Sequence, residues 1–200
     1  MKTSSARKVG KPAALFSASF AIIYSMFQLL AVFKVISHPH ELFWLFFPSL
    51  LLAYTFLITI ICIHYSVADD IKVYTGIASA FAILYCGFVS IVYFTQLTIV
   101  IPALLRNEID EHHVLAFTDK SFFVAVDCIG YATMNAGTLF AAFAFRDRLQ
   151  NKWLYRSLLL TGVQTPVVIL AFFIPAFMFV GALWMITLPM AMINAARFFG

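Results

Sequence analysis

The chain is organised as six apolar runs, at residues 13–36, 42–67, 71–105, 121–145, 155–174 and 176–198, joined by short polar connections. A helix needs about 20 apolar residues to cross the hydrocarbon core of a bilayer, and a chain inside that core must satisfy its own backbone hydrogen bonds. A helix does so within one segment. The pattern therefore predicts an all-α polytopic membrane protein, a six-transmembrane-helix bundle forming a single domain over residues 1–200. Composition agrees, since 63% of residues are hydrophobic and 11% charged, whereas soluble domains carry about 25% charged residues. The third run is too long for one perpendicular crossing. It is expected to tilt, or to let its end beyond Pro102 protrude as a short interfacial segment. Only the Ile174–Pro175 junction separates the fifth and sixth runs. Pro175 disfavours helix at the residue before it, which predicts a tight reversal there. A single kinked helix of roughly 40 residues would far exceed the bilayer.

The charges set an orientation. Lys2, Arg7, Lys8 and Lys11 precede the first run, and Arg146, Arg148, Lys152 and Arg156 follow the fourth. The connection between the third and fourth runs holds Glu108, Asp110, Glu111 and Asp119 against Arg106 and Lys120. Positive-inside counting places both termini in the cytoplasm, and Arg197 near the end agrees. The acidic pair Asp69 and Asp70 counts little in this rule. The N-terminus resembles a signal-peptide n-region, but the apolar stretch behind it is too long, so a retained first transmembrane helix is expected. Basic residues flank apolar runs instead of forming one basic face, so the net charge of +4 is a topology signal, with no nucleic-acid partner expected. The expected partner is the lipid bilayer. Cys62, Cys86 and Cys128 all fall inside apolar runs, and no structural disulfide is expected.

Within the fourth run stands Asp127, a charge that costs roughly 2.5–3.5 kcal/mol at a helix centre on insertion scales. Tyr131, Asn135 and Thr138 follow at helical spacing, so the four share one face. An Asn would hydrogen-bond as well without the charge, which points to a functional carboxylate. Looser polar faces occur elsewhere: Ser79, Cys86, Tyr93 and Gln96 in the third run; Thr55, Thr59, Cys62 and Ser66 in the second; Ser17, Tyr24 and Gln28 in the first. Thr161, Gln164 and Thr165 mark the fifth, and Trp184, Thr187 and Asn194 the sixth. Most such Ser, Thr and Tyr residues join helices together, at about 0.6 kcal/mol per interhelical hydrogen bond. Counting 1.5 Å per residue puts Gln28, Gln96 and Asp127 about 9–14 Å below the outer helix ends. With Tyr93 and Tyr131 nearby, they are the candidate ligand-binding residues. Small residues on the same run, Ala132/Ala136 and Gly137/Ala141, would let a neighbouring helix approach closely.

Four histidines, His38, His40, His112 and His113, fall on the expected outer side among Glu41, Glu108, Asp110 and Glu111. That ligand set suits zinc, although His-Pro-His-Glu is no established metal motif; an exposed pH-responsive loop pair is the plainer reading. His64 is expected to make a helix-end ion pair near Asp69 and Asp70, or to anchor the helix at the interface. No HExxH, GxSxG, P-loop or GxGxxG motif occurs, and no cofactor is assigned.

The segment Tyr93-Phe-Thr-Gln-Leu-Thr, then Asp127-Cys-Ile-Gly-Tyr131 and Gly137-Thr-Leu-Phe-Ala, resembles small bacterial integral membrane proteins with six predicted spans and no characterised activity. The similarity covers residues 85–145 and implies a helical bundle in a bacterial inner membrane. The leading expectation is binding or transport of a small solute, ion or lipid through an outward-opening polar pocket. The chain is short for a transporter, so a homo-oligomer would supply what one copy lacks. A membrane-embedded enzyme acting on a lipid or quinone, and a structural or sensory subunit of a membrane complex, are the alternatives.

Overall fold

The computed structural model describes residues 3–109, 114–118, 120–174, 177 and 182–200, and among these it contains helices and turns but no strand. The helices are α1 (Thr3–Val32), α2 (His40–Ser66), α3 (Lys72–Thr95), α4 (Ile101–Leu105), α5 (Phe122–Phe143), α6 (Lys152–Gly162), α7 (Thr165–Phe173) and α8 (Trp184–Phe199). A π-helical turn, Gln96–Val100, joins α3 to α4, and 3₁₀ turns lead into α3 and α6. As continuous stretches, five are long and apolar enough to cross a membrane: Ser5–Val32, His40–Ser66, Asp69–Leu105, Phe122–Phe143 and Leu149–Phe173. The protein is an all-helical bundle of membrane type.

The helix ends have local causes. α1 stops at Val32, short of the expected boundary, because Lys34 takes a left-handed conformation (φ 54°). The Val35 N–H then reaches back to the Leu30 carbonyl and the Lys34 N–H to that of Ala31, both at 2.9 Å, which closes the helix as a Schellman motif. Ser121 caps α5 by accepting from the Val124 N–H at 3.3 Å. The long third run stays continuous through Pro102. Proline cannot donate and crowds the carbonyl four residues back, and the wider π turn just before it accommodates both effects: the Ile101 N–H bonds the Gln96 carbonyl, five residues away. The fifth run is broken instead. α6 ends at Gly162, and α7 begins at Thr165 with Pro166 in its first turn. Ile174 is extended (φ −128°, ψ 98°), as a residue before proline should be. The reversal expected at Pro175 lies outside the described residues.

The helices close a ring: α1 packs on α2, α2 on α3, α3 on α5, α5 on α6, α6 on α8, and α8 back on α1, while α7 leans on α5. Two hydrogen bonds fix the last hairpin. Gln164 Nε2 donates to Thr187 Oγ1 at 2.8 Å, and Asn194 Nδ2 to Ser157 Oγ at 3.2 Å. As one partner moves forward the other moves back, so the α6–α7 stretch and α8 are separate, antiparallel elements. Without a hydrophobic drive between helices in lipid, close contact of small residues supplies much of the association. Gly137 backs onto the Ala78 carbonyl of α3, Gly162 onto the backbone of Leu139 on α5, and Gly10 onto Phe199 on α8. Many Ser and Thr hydroxyls bond carbonyls three or four residues back in their own helices, as Thr55, Thr59, Ser79 and Thr161 do, and so need no partner helix.

One end of the bundle is basic. It gathers Arg7, Lys8 and Lys11 at the start of α1 with Arg146, Arg148, Lys152 and Arg156 between α5 and the first turn of α6. There Arg148 pairs with Asp70 at 3.3 Å and Lys72 with Asp69, tying two turns together. With those carboxylates engaged, His64 bonds Thr75 Oγ1 through Nδ1 at 3.0 Å, linking α2 to α3 in place of the expected ion pair.

Candidate functional site

At the opposite end, where α1, α4 and α7 finish and α2, α5 and α8 begin, residues of α1, α2, α3, α5, α7 and α8 line a cavity of about 440 Å³. That volume is within the range of small-molecule sites, roughly 300–1,000 Å³. Four of the expected residues line it: Gln28 from α1, Tyr93 from α3, and Asp127 and Tyr131 from α5. Their helices are not all packed neighbours. α3 and α5 touch along their lengths, whereas α1 faces α5 across the ring, with the cavity between. Asp127 lies five residues into α5, about 8 Å from its start.

Asp127 organises the electrostatics. The Tyr93 hydroxyl stands beside its carboxylate, and Tyr24, Tyr85 and Tyr131 lie within range of its charge. Nevertheless, carboxylate oxygen Oδ1 is buried and meets no hydrogen-bond donor among the described residues. The neighbouring polar atoms are largely committed to one another. Tyr93 donates to Tyr131 Oη at 3.0 Å, and Tyr24 donates to Gln28 Oε1 at 2.9 Å. Burying a charged oxygen without a partner costs more than the 1–3 kcal/mol typical of a neutral group.

Aromatic rings form the walls. Trp184 sits between Tyr24 and Tyr131, with centroids 5.1 and 5.3 Å away and rings tilted by 37° and 41°. On the other side Phe46 contacts Tyr93 at 5.5 Å and Phe117 at 5.2 Å. The Tyr93–Tyr131 hydrogen bond joins the two groups, with Asp127 one turn before Tyr131 on the same face. Among the described residues no Lys, Arg or His lines the cavity.

Gln96 is not part of the lining. It is fully buried, and its Nε2 donates to the Leu115 carbonyl at 2.7 Å, which holds the connection bearing Phe117 against the π turn. Its role is to position a wall of the site. On the same connection, hydrogen bonds from Arg106 to Glu108 at 2.6 and 2.8 Å hold the Glu108 carboxyl below the usual carboxylate range. His38 Nδ1 meets Glu41 Oε1 at 2.9 Å, and His40 opens α2. His112 and His113 lie outside the described residues, and among those described no three His, Cys, Asp or Glu side chains converge on a metal position.

Sequence reasoning noticed Tyr24 and Trp184 as polar-face residues but did not place them in the site, and it did not single out Phe46 or Phe117. Tyr24 stands one turn before Gln28 and so shares its face, a signal that was present. Phe117 lies in a connection, where helical periodicity carries no information. Comparison of the chain with protein-family models, with curated proteins and with solved structures finds no match.

Proposed function

We propose that this chain is an integral membrane protein of six spans that binds a small solute in the α1–α8 cavity and carries it across the bilayer. Asp127 is the group that holds the solute and releases it. The observation that supports this most is the Asp127 carboxylate, which lines a cavity of solute size and has one buried oxygen without a partner among the described residues. Intramembrane carboxylates mark substrate and ion pathways. α8 and the residues before it make the sixth span in this reading. The basic end of the bundle faces the cytoplasm together with both termini, so the cavity opens outward. The resemblance over residues 85–145 suggests a bacterial inner membrane as the setting.

The broken α6–α7 stretch fits the same reading. Transporters place discontinuous helices at their binding sites, and Val168, Ala171 and Phe172, just beyond the break, line the cavity. A panel of amines, amino acids, sugars and lipid headgroups, screened by thermal shift on purified protein, should yield a stabilising solute that is taken up by proteoliposomes. Asp127→Asn at matched expression should lose both effects. Undiminished uptake by Asp127→Asn would contradict the mechanism.

A further inference from the structure

Building on that solute-binding reading, we infer that the solute is a small organic cation, an amine or quaternary ammonium group seated on Asp127 between the Trp184 and Tyr93 aromatic walls. Three features of the cavity select this class. The first is charge. One carboxylate and no basic side chain among the described lining residues give the site a negative potential, so an anion would be repelled, and the more strongly because the surroundings are of low dielectric.

The second is the scarcity of free oxygen ligands. A hydrated inorganic ion gives up water only for several oxygens, about six to eight for calcium. Here Gln28 Oε1 and Tyr131 Oη each already accept a hydrogen bond, from Tyr24 and Tyr93. Among the described lining residues the Asp127 carboxylate is the one charged ligand, enough for an ammonium group and too few for a bare metal ion.

The third is the aromatic wall. Trp184, Tyr24 and Tyr131 on one side and Tyr93, Phe46 and Phe117 on the other surround the carboxylate. Aromatic faces attract cations, Trp most strongly, and aromatic cages are the recurrent device for binding quaternary ammonium groups. A neutral apolar solute would use the rings but would leave the carboxylate in the cavity wall without a countercharge. An organic cation satisfies both.

The test compares choline with 3,3-dimethylbutan-1-ol, which has the same shape with carbon in place of the charged nitrogen, by calorimetric titration of the purified full chain; tetraethylammonium serves as a larger cation. Choline or tetraethylammonium should bind, with the neutral alcohol at least about tenfold weaker than the bound cation. Asp127→Asn should weaken the cation about tenfold or more, and Trp184→Leu about 5- to 30-fold, the range set by a cation–π contact. Trp153→Leu, at the basic end of the bundle, should change nothing. The inference is overturned if neither cation binds, if the alcohol binds as tightly as choline, or if Trp184→Leu retains wild-type affinity. An alcohol that binds as tightly as choline would leave a solute cavity standing. Cation binding without proteoliposome uptake would uphold this inference and remove the transport reading instead.

Discussion

Asp127→Asn is expected to make the ligand-free protein more stable than wild type, by on the order of 1–2 kcal/mol, because it removes a buried charge one of whose oxygens meets no donor among the described residues. Structural carboxylates behave the opposite way. One held by native hydrogen bonds would lose them on conversion to the amide, and the variant would fall. Equilibrium unfolding in mixed micelles measures the difference directly. A gain in stability coupled to loss of ligand binding is the signature of a site residue retained at the expense of the fold. A less stable Asp127→Asn would mean that the carboxylate serves helix packing.

Gly162→Ala should be the most damaging of the small substitutions, with a loss of about 1–3 kcal/mol from overpacking. A Cβ at that position would lie 2.6 Å from the N, Cα and Cβ of Leu139, so relief requires α5 and α6 to move apart. Backbone cannot swing aside as a side chain can. Gly87 is the matched control: nothing lies within 4 Å of the Cβ it would gain, so Gly87→Ala should be neutral or stabilising by roughly 0.5–1 kcal/mol through helix propensity. Unfolding measured for both variants separates the effects. Equal outcomes would contradict the packing described for α5 and α6.

The bundle was legible because length and hydropathy are one-dimensional properties. Five of the expected runs appear as long apolar helical stretches, the fifth broken between α6 and α7; Lys34 ends α1 early, while α1 and the fifth stretch begin several residues before the apolar runs do. The break at Gly162–Gln164 was less visible. Pro166 could announce a disturbance, but not whether the helix would kink or restart. The site was half legible. The polar face of α5 predicted Asp127 and Tyr131, since helical spacing alone aligns them. Gln96 shares the face of Tyr93 yet leaves the cavity, because the π turn that starts at Gln96 changes the local register and the Leu115 carbonyl captures its amide. Hydropathy hid the aromatic walls: Phe46 and Phe117 look like any of the 23 phenylalanines until the ring of helices brings them together. The ring closure of α8 onto α1, which delivers Trp184 to Tyr24, is a long-range contact that no local pattern encodes.

The most direct test uses Cys128, a natural thiol in the cavity wall next to Asp127. With Cys62 and Cys86 replaced by alanine, intact cells are treated from outside with a trimethylammonium-bearing or a sulfonate-bearing methanethiosulfonate, and each rate is divided by that reagent's rate with a free thiol. An outward-opening, cation-selective cavity predicts modification of Cys128, with the cationic reagent favoured about tenfold or more, and a preference that collapses in Asp127→Asn. No modification from outside, or a corrected rate favouring the sulfonate, would contradict the account.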